Sequence, residues 1–307
     1  MELKHICGEL EKVFPIDVAG HNELLNIFLP VTTKSAHNYE PLSFIFPAIN
    51  HEAGINVRKY YEKQFLRYYN GLMIKGENEV SKIFCVVFPN TGVMCEVLSR
   101  CGPGDLIFTH HCCGFEEKKG FLPISREVLE LIRAKRVSVY SLHVPFDFNG
   151  PWSPSVCLAE TLGMELEGEF APIVNKPTGV FGTPPVTDLH SLVSILRIRT
   201  GAEEITVIGN RKNLKIERIA VIAGGRAYEN LVEEAHGHGC DTFLTGTAIE
   251  DVKIDTVKKA NERFLQKARE LEINVIGGGH YYTEKPALER MTEFFSRIGV
   301  EAEFVPE

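Results

Sequence analysis

Short, nearly continuous apolar runs recur along this chain at residues 82–88, 105–109, 137–142, 218–223, 241–245 and 273–276. Runs of this length bounded by glycine and polar residues predict strands buried on both faces. Between them lie stretches of helical character at 91–100, 188–197, 228–235 and 256–271. Thr187 is a candidate N-cap for the second of these, and Pro184-Pro185 stops the segment before it. A last helix is expected after Glu284, starting near Thr283 with Pro286 in its first turn, where proline is tolerated. Residues 165–181 alternate and are rich in glycine and proline, predicting short strands and turns, and 57–68 predicts a helix. Strands alternating with helices predict an α/β fold with mostly parallel sheets.

The pattern also repeats. Residues 83–109 align without a gap onto 219–245 at an offset of 136, with identities at Ile83/Ile219, Asp105/Asp241 and Thr109/Thr245. Two similar α/β lobes are the expectation: 1–69 as a divergent N-terminal region, 70–155 as the first lobe and 156–270 as the second. Residues 271–307 form a C-terminal strand and helix completing a site. Only the first lobe keeps histidines at its strand tip; Gly246-Thr247 stands where the second would have them.

Those histidines are the main chemical signal. His110-His111 directly follows the run 105–109. Neighbouring side chains within a strand point to opposite faces, so a shared site requires the pair to stand beyond the strand's carboxyl end, where open α/β sheets bind ligands. Two further runs end alike: 137–142 leads to His143 and Asp147, and 273–276 leads through Gly277-Gly278-Gly279 to His280 and Glu284. Imidazoles and carboxylates together suit zinc, iron or manganese. A lone histidine at a strand end is more often a hydrogen-bonded structural residue, and for each position alone that reading stays open.

The 307 residues carry a net charge of −8, which argues against a nucleic-acid backbone binder, since phosphate neutralisation needs clustered Lys and Arg. No secretory signal and no apolar run near the ~20 residues of a membrane span is visible, so the expectation is a cytoplasmic protein without a membrane partner. Eight cysteines include no C-x-x-C pair, and Cys85, Cys95, Cys101, Cys157 and Cys240 read as small core residues.

Four segments, Asn70-Gly-Leu-Met73, Asp105-Leu-Ile-Phe-Thr-His-His111, Tyr140-Ser-Leu-His-Val-Pro-Phe-Asp147 and Gly279-His-Tyr-Tyr-Thr-Glu284, together resemble the signature blocks of the NIF-three-like family. Its members are also known as GTP cyclohydrolase I type 2 homologues. The resemblance covers about residues 70–307 and includes the block from Ile219 to Thr247. It implies a dinuclear centre of two divalent ions (Zn, Fe or Mn) held by His110, His111, Asp147, His280 and Glu284, with Glu284 bridging. It implies that His143 stands close to the metals as a candidate catalytic proton shuttle, against the alternative of a buried strand histidine. A ring-shaped homohexamer is implied as well.

Cys112-Cys113 replaces the family's usual proline after the histidine pair, Val144-Pro145 replaces a small polar pair, and Tyr68-Tyr69 replaces Trp-Asp. The function implied is a metal-dependent hydrolase of a small phosphorylated or nucleotide-like substrate. The alternative is a non-catalytic metal-binding or metal-delivery scaffold using Cys112-Cys113 as exchange ligands. Weaker features read as structure: Gly224-Gly225 as a tight turn rather than a phosphate cradle, His236 and His238 as an exposed loop, and Trp152 and Phe294-Phe295 as packing.

Overall fold

The computed structural model describes residues 1–16, 40–117, 119–210, 215–249 and 255–307. They divide into two compact units. The first comprises residues 1–16, 40–146 and 288–307, and the second 147–287.

In chain order the strands are β1 (Gly71–Ile74), β2 (Lys82–Val86), β3 (Leu106–Thr109), β4 (Gly114–Glu116), β5 (Gly120–Leu122), β6 (Ser138–Ser141), β7 (Glu165–Ile173), β8 (Lys176–Thr183), β9 (Thr206–Ile208), β10 (Ile219–Ile222), β11 (Thr242–Thr245), β12 (Asn274–Gly277) and β13 (Glu301–Phe304). The first unit holds a five-stranded sheet of order β1-β6-β3-β2-β13 and the small antiparallel ribbon β4-β5. The second holds a six-stranded sheet of order β7-β8-β10-β11-β12-β9. The strands flanking β3 and β11 are parallel to them, while β1 and β9 close their sheets antiparallel.

The continuous apolar runs have the predicted cause. Every residue of β3, β6, β10, β11 and β12 is buried. Alternate residues of one strand enter different cores: Ile219 and Val221 pack with Leu244 and Ile276, while Ala220 and Ile222 pack with Phe243 and Val275. Both faces of the second sheet are therefore covered. In the first unit Phe84, Ile107 and Val139 enter one core. On another side Phe108 meets Phe146 and Phe295 at ring-centroid distances of 6.0 and 5.3 Å.

The offset of 136 holds in three dimensions. β2 pairs with β3 as Ile83↔Leu106, and β10 with β11 as Ile219↔Thr242. β3 pairs with β6 as Leu106↔Ser138, and β11 with β12 as Thr242↔Asn274, which carries the echo to a third strand. The ladders start and end alike, with Ser138 N–H donating to Asp105 O and Asn274 N–H to Asp241 O at 2.9 Å each. Even the left-handed residues ahead of the third strands coincide, Arg136 (φ 57°) and Glu272 (φ 52°).

Several local expectations are corrected. The helix Leu189–Thr200 is capped by Asp188, whose Oδ1 accepts from Ser191 N–H at 2.8 Å, and Thr187 is not the cap. Residues 57–68 form two short helical pieces, Val57–Tyr60 and Phe65–Tyr68, the second ended by Tyr69 at φ 55°. Residues 165–181 lie in one long hairpin, β7-β8. Cys95 lies on an outward position of the helix Thr91–Arg100 and is exposed, not core. The last helix begins at His280, so Pro286 is interior to it and removes one backbone donor. Among the described residues no helix is long and apolar enough to cross a membrane.

Candidate metal centre

β3 ends at Thr109, and the backbone beyond it still leans on the end of β2: His110 N–H donates to Val86 O and His111 N–H to Val87 O. Thr109 Oγ1 lies 3.1 Å from Val87 O and 2.8 Å from His111 O, folding the chain back just past the strand. Freed from the pleat, the two buried imidazoles come together with ring centroids 4.3 Å apart. His111 stacks on Phe88 at 4.2 Å and 14°, which holds its plane.

His143, just past β6, joins them, its ring 5.1 Å from that of His110 and 4.8 Å from that of His111. One nitrogen of each of the three lies within 4.8 Å of the others, a spacing that a metal ion could bridge. Two of the three tautomers follow from their partners. His110 Nδ1–H donates to Leu142 O at 2.9 Å, and a carbonyl can only accept. His143 Nδ1–H donates to Glu40 Oε1 at 2.7 Å. In both rings the lone pair is thereby left on Nε2, the arrangement in which metal-binding histidines are normally held. The donor chemistry of this cluster fits a divalent ion.

Glu40 is a member of the cluster that sequence reading missed. It is fully buried, and its oxygens accept from Leu42 N–H, Asn70 Nδ2–H, Val144 N–H and His143. Asn70 Oδ1 in turn accepts from His143 N–H at 2.7 Å, so Asn70 ties the two together. Burial pushes the Glu40 carboxyl up, but His143, through the charge of its imidazolium form and its hydrogen bond, outweighs it together with the Asn70 and Leu42 donors and holds it below its ordinary 4.5. Glu40-Pro41 ahead of an apolar run signals only a helix start. Nothing in the sequence ties it to a histidine 103 residues away.

The second unit supplies a His/Glu pair. Because the helix starts at His280, His280 and Glu284 share a face, with Nε2 and Oε1 3.1 Å apart and both residues buried. The loop after β10 leaves them room only through a glycine. A Cβ on Gly224, which sits at φ +78°, would stand 2.4 Å from Glu284 Oε1 and 3.3 Å from His280 Nε2. Gly224 O accepts from Thr245 Oγ1, Gly246 N–H and Thr247 N–H, and Gly224 N–H donates to Thr283 Oγ1. A Cβ on Gly246 would lie 2.9 Å from His280 Cα. The second lobe thus has glycine where the first has His110, because the backbone of His280 occupies that place.

Asp147 ends the short helical turn Val144–Asp147, is half-buried and acts electrostatically on Arg226. Cys112 and Cys113 are fully buried, and burial, with the hydrogen bond and charge of Cys113 and the charge of Glu40, pushes the Cys112 thiol far up. His236 and His238 are exposed, with His238 stacked on Phe181 at 4.4 Å. Trp152, Phe294 and Phe295 are buried as packing residues.

The profile of the Duf34/NIF3 (NGG1p interacting factor 3) family matches residues 61–306. The chain is 27% identical over 231 residues to a protein of Escherichia coli K12 named GTP cyclohydrolase 1 type 2 homolog, covering 74% of this chain and 84% of that one. It is 24% identical over 259 residues to the Borreliella burgdorferi protein of the same name, covering 84% and 93%. Among solved structures, the protein ybgI, described as of unknown function, superposes with a TM-score of 0.62 at 22% identity over 86% of this chain and 96% of that one. Reduced HcgD from Methanocaldococcus jannaschii superposes with a TM-score of 0.61 at 16% identity over 100% and 97%. These structures share the fold.

Proposed function

The chain belongs to the Duf34/NIF3 family, and on that footing we propose that it is a metal-dependent hydrolase of a small phosphorylated or nucleotide-like substrate. The observation that carries the reading is the pair of donated Nδ1–H groups, which leave the Nε2 lone pair of His110 for a metal and that of His143 for a proton. The ligand set is that of the sequence resemblance: His110, His111, Asp147, His280 and Glu284 would hold two divalent ions. Such ions would lower the pKa of a water and stabilise negative charge developing on the substrate.

The protein's own contribution is positional. Phe88 holds His111, Leu142 O and Glu40 set the two ring tautomers, and Gly224 gives Glu284 and His280 their place. His143, oriented by an ionised carboxylate, is the group suited to pass a proton. The relatives' name supports a nucleotide as the first substrate class to try.

The test is metal content per chain, after purification without chelator or nickel resin, beside Glu284→Ala. Near two ions in the wild type and near none in the variant is the expected result, with nucleotide hydrolysis lost in the variant. Hydrolysis persisting in a metal-free variant would sink the reading. The delivery alternative draws no support from Cys112-Cys113, since a sealed thiol with a raised pKa is a poor exchange ligand.

A further inference from the structure

Two residues beyond Gly224, in the same loop of the second unit, stands Arg226. Its Nη1 donates to Thr178 Oγ1 on β8, whose own hydroxyl is bonded to Ala171 O at 2.6 Å. Its Nη2 is sealed from solvent and meets no acceptor among the described residues. A guanidinium in this state is costly, because a buried donor without a partner forfeits its hydration.

The groups that act on it electrostatically are Tyr228, Asp147 and Glu234. Glu234 Oε1 is already taken by Ala171 N–H at 3.2 Å. Asp147 is one of the proposed metal ligands, so its charge is committed in the loaded protein.

A second side chain anchored on the same stretch of β8 is left in the same condition. Asn149 N–H donates to Pro177 O at 2.9 Å and Asn149 Nδ2–H to Gly179 O at 2.8 Å, one residue to each side of Thr178. Those bonds orient the amide and leave Asn149 Oδ1 buried without a donor. One unmet donor and one unmet acceptor, both held by the 177–179 stretch, call for a ligand that supplies the opposite pair.

We propose that Arg226 is the anchor of an oxyanion-binding subsite. It takes a phosphate or carboxylate group of the ligand through Nη2, and Asn149 Oδ1 accepts from a hydroxyl or N–H carried beside that anion. Arginine suits the role because its planar fork meets an oxyanion with directed donors that lysine lacks. Calling the anion part of a substrate rests on the hydrolase reading; the subsite itself does not.

The experiment is calorimetric titration of the metal-loaded protein with inorganic phosphate and, separately, with succinate. It compares the wild type, Arg226→Gln and Arg226→Lys, with metal content and thermal unfolding measured on the same samples. The expected result is binding of at least one anion to the wild type, weakened roughly tenfold to a hundredfold in Arg226→Gln and less in Arg226→Lys, with metal content unchanged. Which anion shows the loss decides between phosphate and carboxylate.

Equal affinity in all three proteins, or no binding to any, overturns the subsite even if two ions are present. Arginine-dependent binding in a protein that holds no metal upholds the subsite and fails the metal reading alone. If Arg226→Gln does not fold, Arg226→Lys carries the comparison, and unchanged affinity there overturns the proposal.

Discussion

A buried carboxylate with four hydrogen-bond donors does one definite thing to the histidine it faces. Glu40 keeps a proton on His143 Nδ1 and fixes the ring's orientation, so removing its charge loosens the ring without opening a cavity. For Glu40→Gln we expect nucleotide hydrolysis, measured as kcat at full metal occupancy, to fall about 10- to 100-fold. Unchanged kcat would reduce Glu40 to a structural role.

The pH dependence has a definite sign. A carboxyl held below its ordinary 4.5 in the folded protein contributes stability that is fully present above that value and is lost as pH falls through the folded pKa. The wild type should therefore exceed Glu40→Gln in urea stability at neutral pH, and the difference should shrink once the pH drops below 4.5. At this scale the sequence exposed the histidines, because a doubled histidine is rare enough to notice. It concealed Glu40 and Arg226, since single charged residues look the same whether solvated or sealed.

At the scale of elements, the start of the last helix decides whether His280 and Glu284 meet. Reading Pro286 as a first-turn residue puts the start near Thr283 and leaves His280 in a loop. The observed start at His280 sets His280 and Glu284 one helical turn apart, and the helix bears an interior proline. The start is fitted against the β11 tip: Gly279 N–H donates to Gly246 O at 2.8 Å, and Thr283 Oγ1 accepts from Gly224 N–H at 3.1 Å. Neither contact is visible in local sequence, which is why the proline misled.

Gly246→Ala tests this fit. Its Cβ would stand 2.7 Å from Gly224 O and from Thr283 Oγ1. We expect a loss of roughly 1–3 kcal/mol in urea unfolding, with reduced metal content because His280 is displaced. Full stability together with full metal content would contradict it.

For the whole molecule, the strand register repeated at one offset is the organising feature. Each unit builds three adjacent parallel strands at the same register offset, yet the first has His110 just past its middle strand where the second has Gly246. We propose a homohexamer, which the family resemblance implies. Light scattering coupled to gel filtration should then give about six times the chain mass, and a monomer at micromolar concentration would refute it.

What the sequence by itself determined is whatever depends on near neighbours. Buried strands declare themselves as apolar runs, a helix such as Thr91–Arg100 by its period, and the histidine pair by its place just past a strand. The register echo belongs here too, because segments that align without a gap keep their spacing. Tertiary structure alone decided which distant segments meet: β13 returns to pair with β2, Glu40 reaches His143, and Gly224 makes room for Glu284. Those choices depend on the shape of surfaces that exist only after folding, and no periodicity in the chain encodes them.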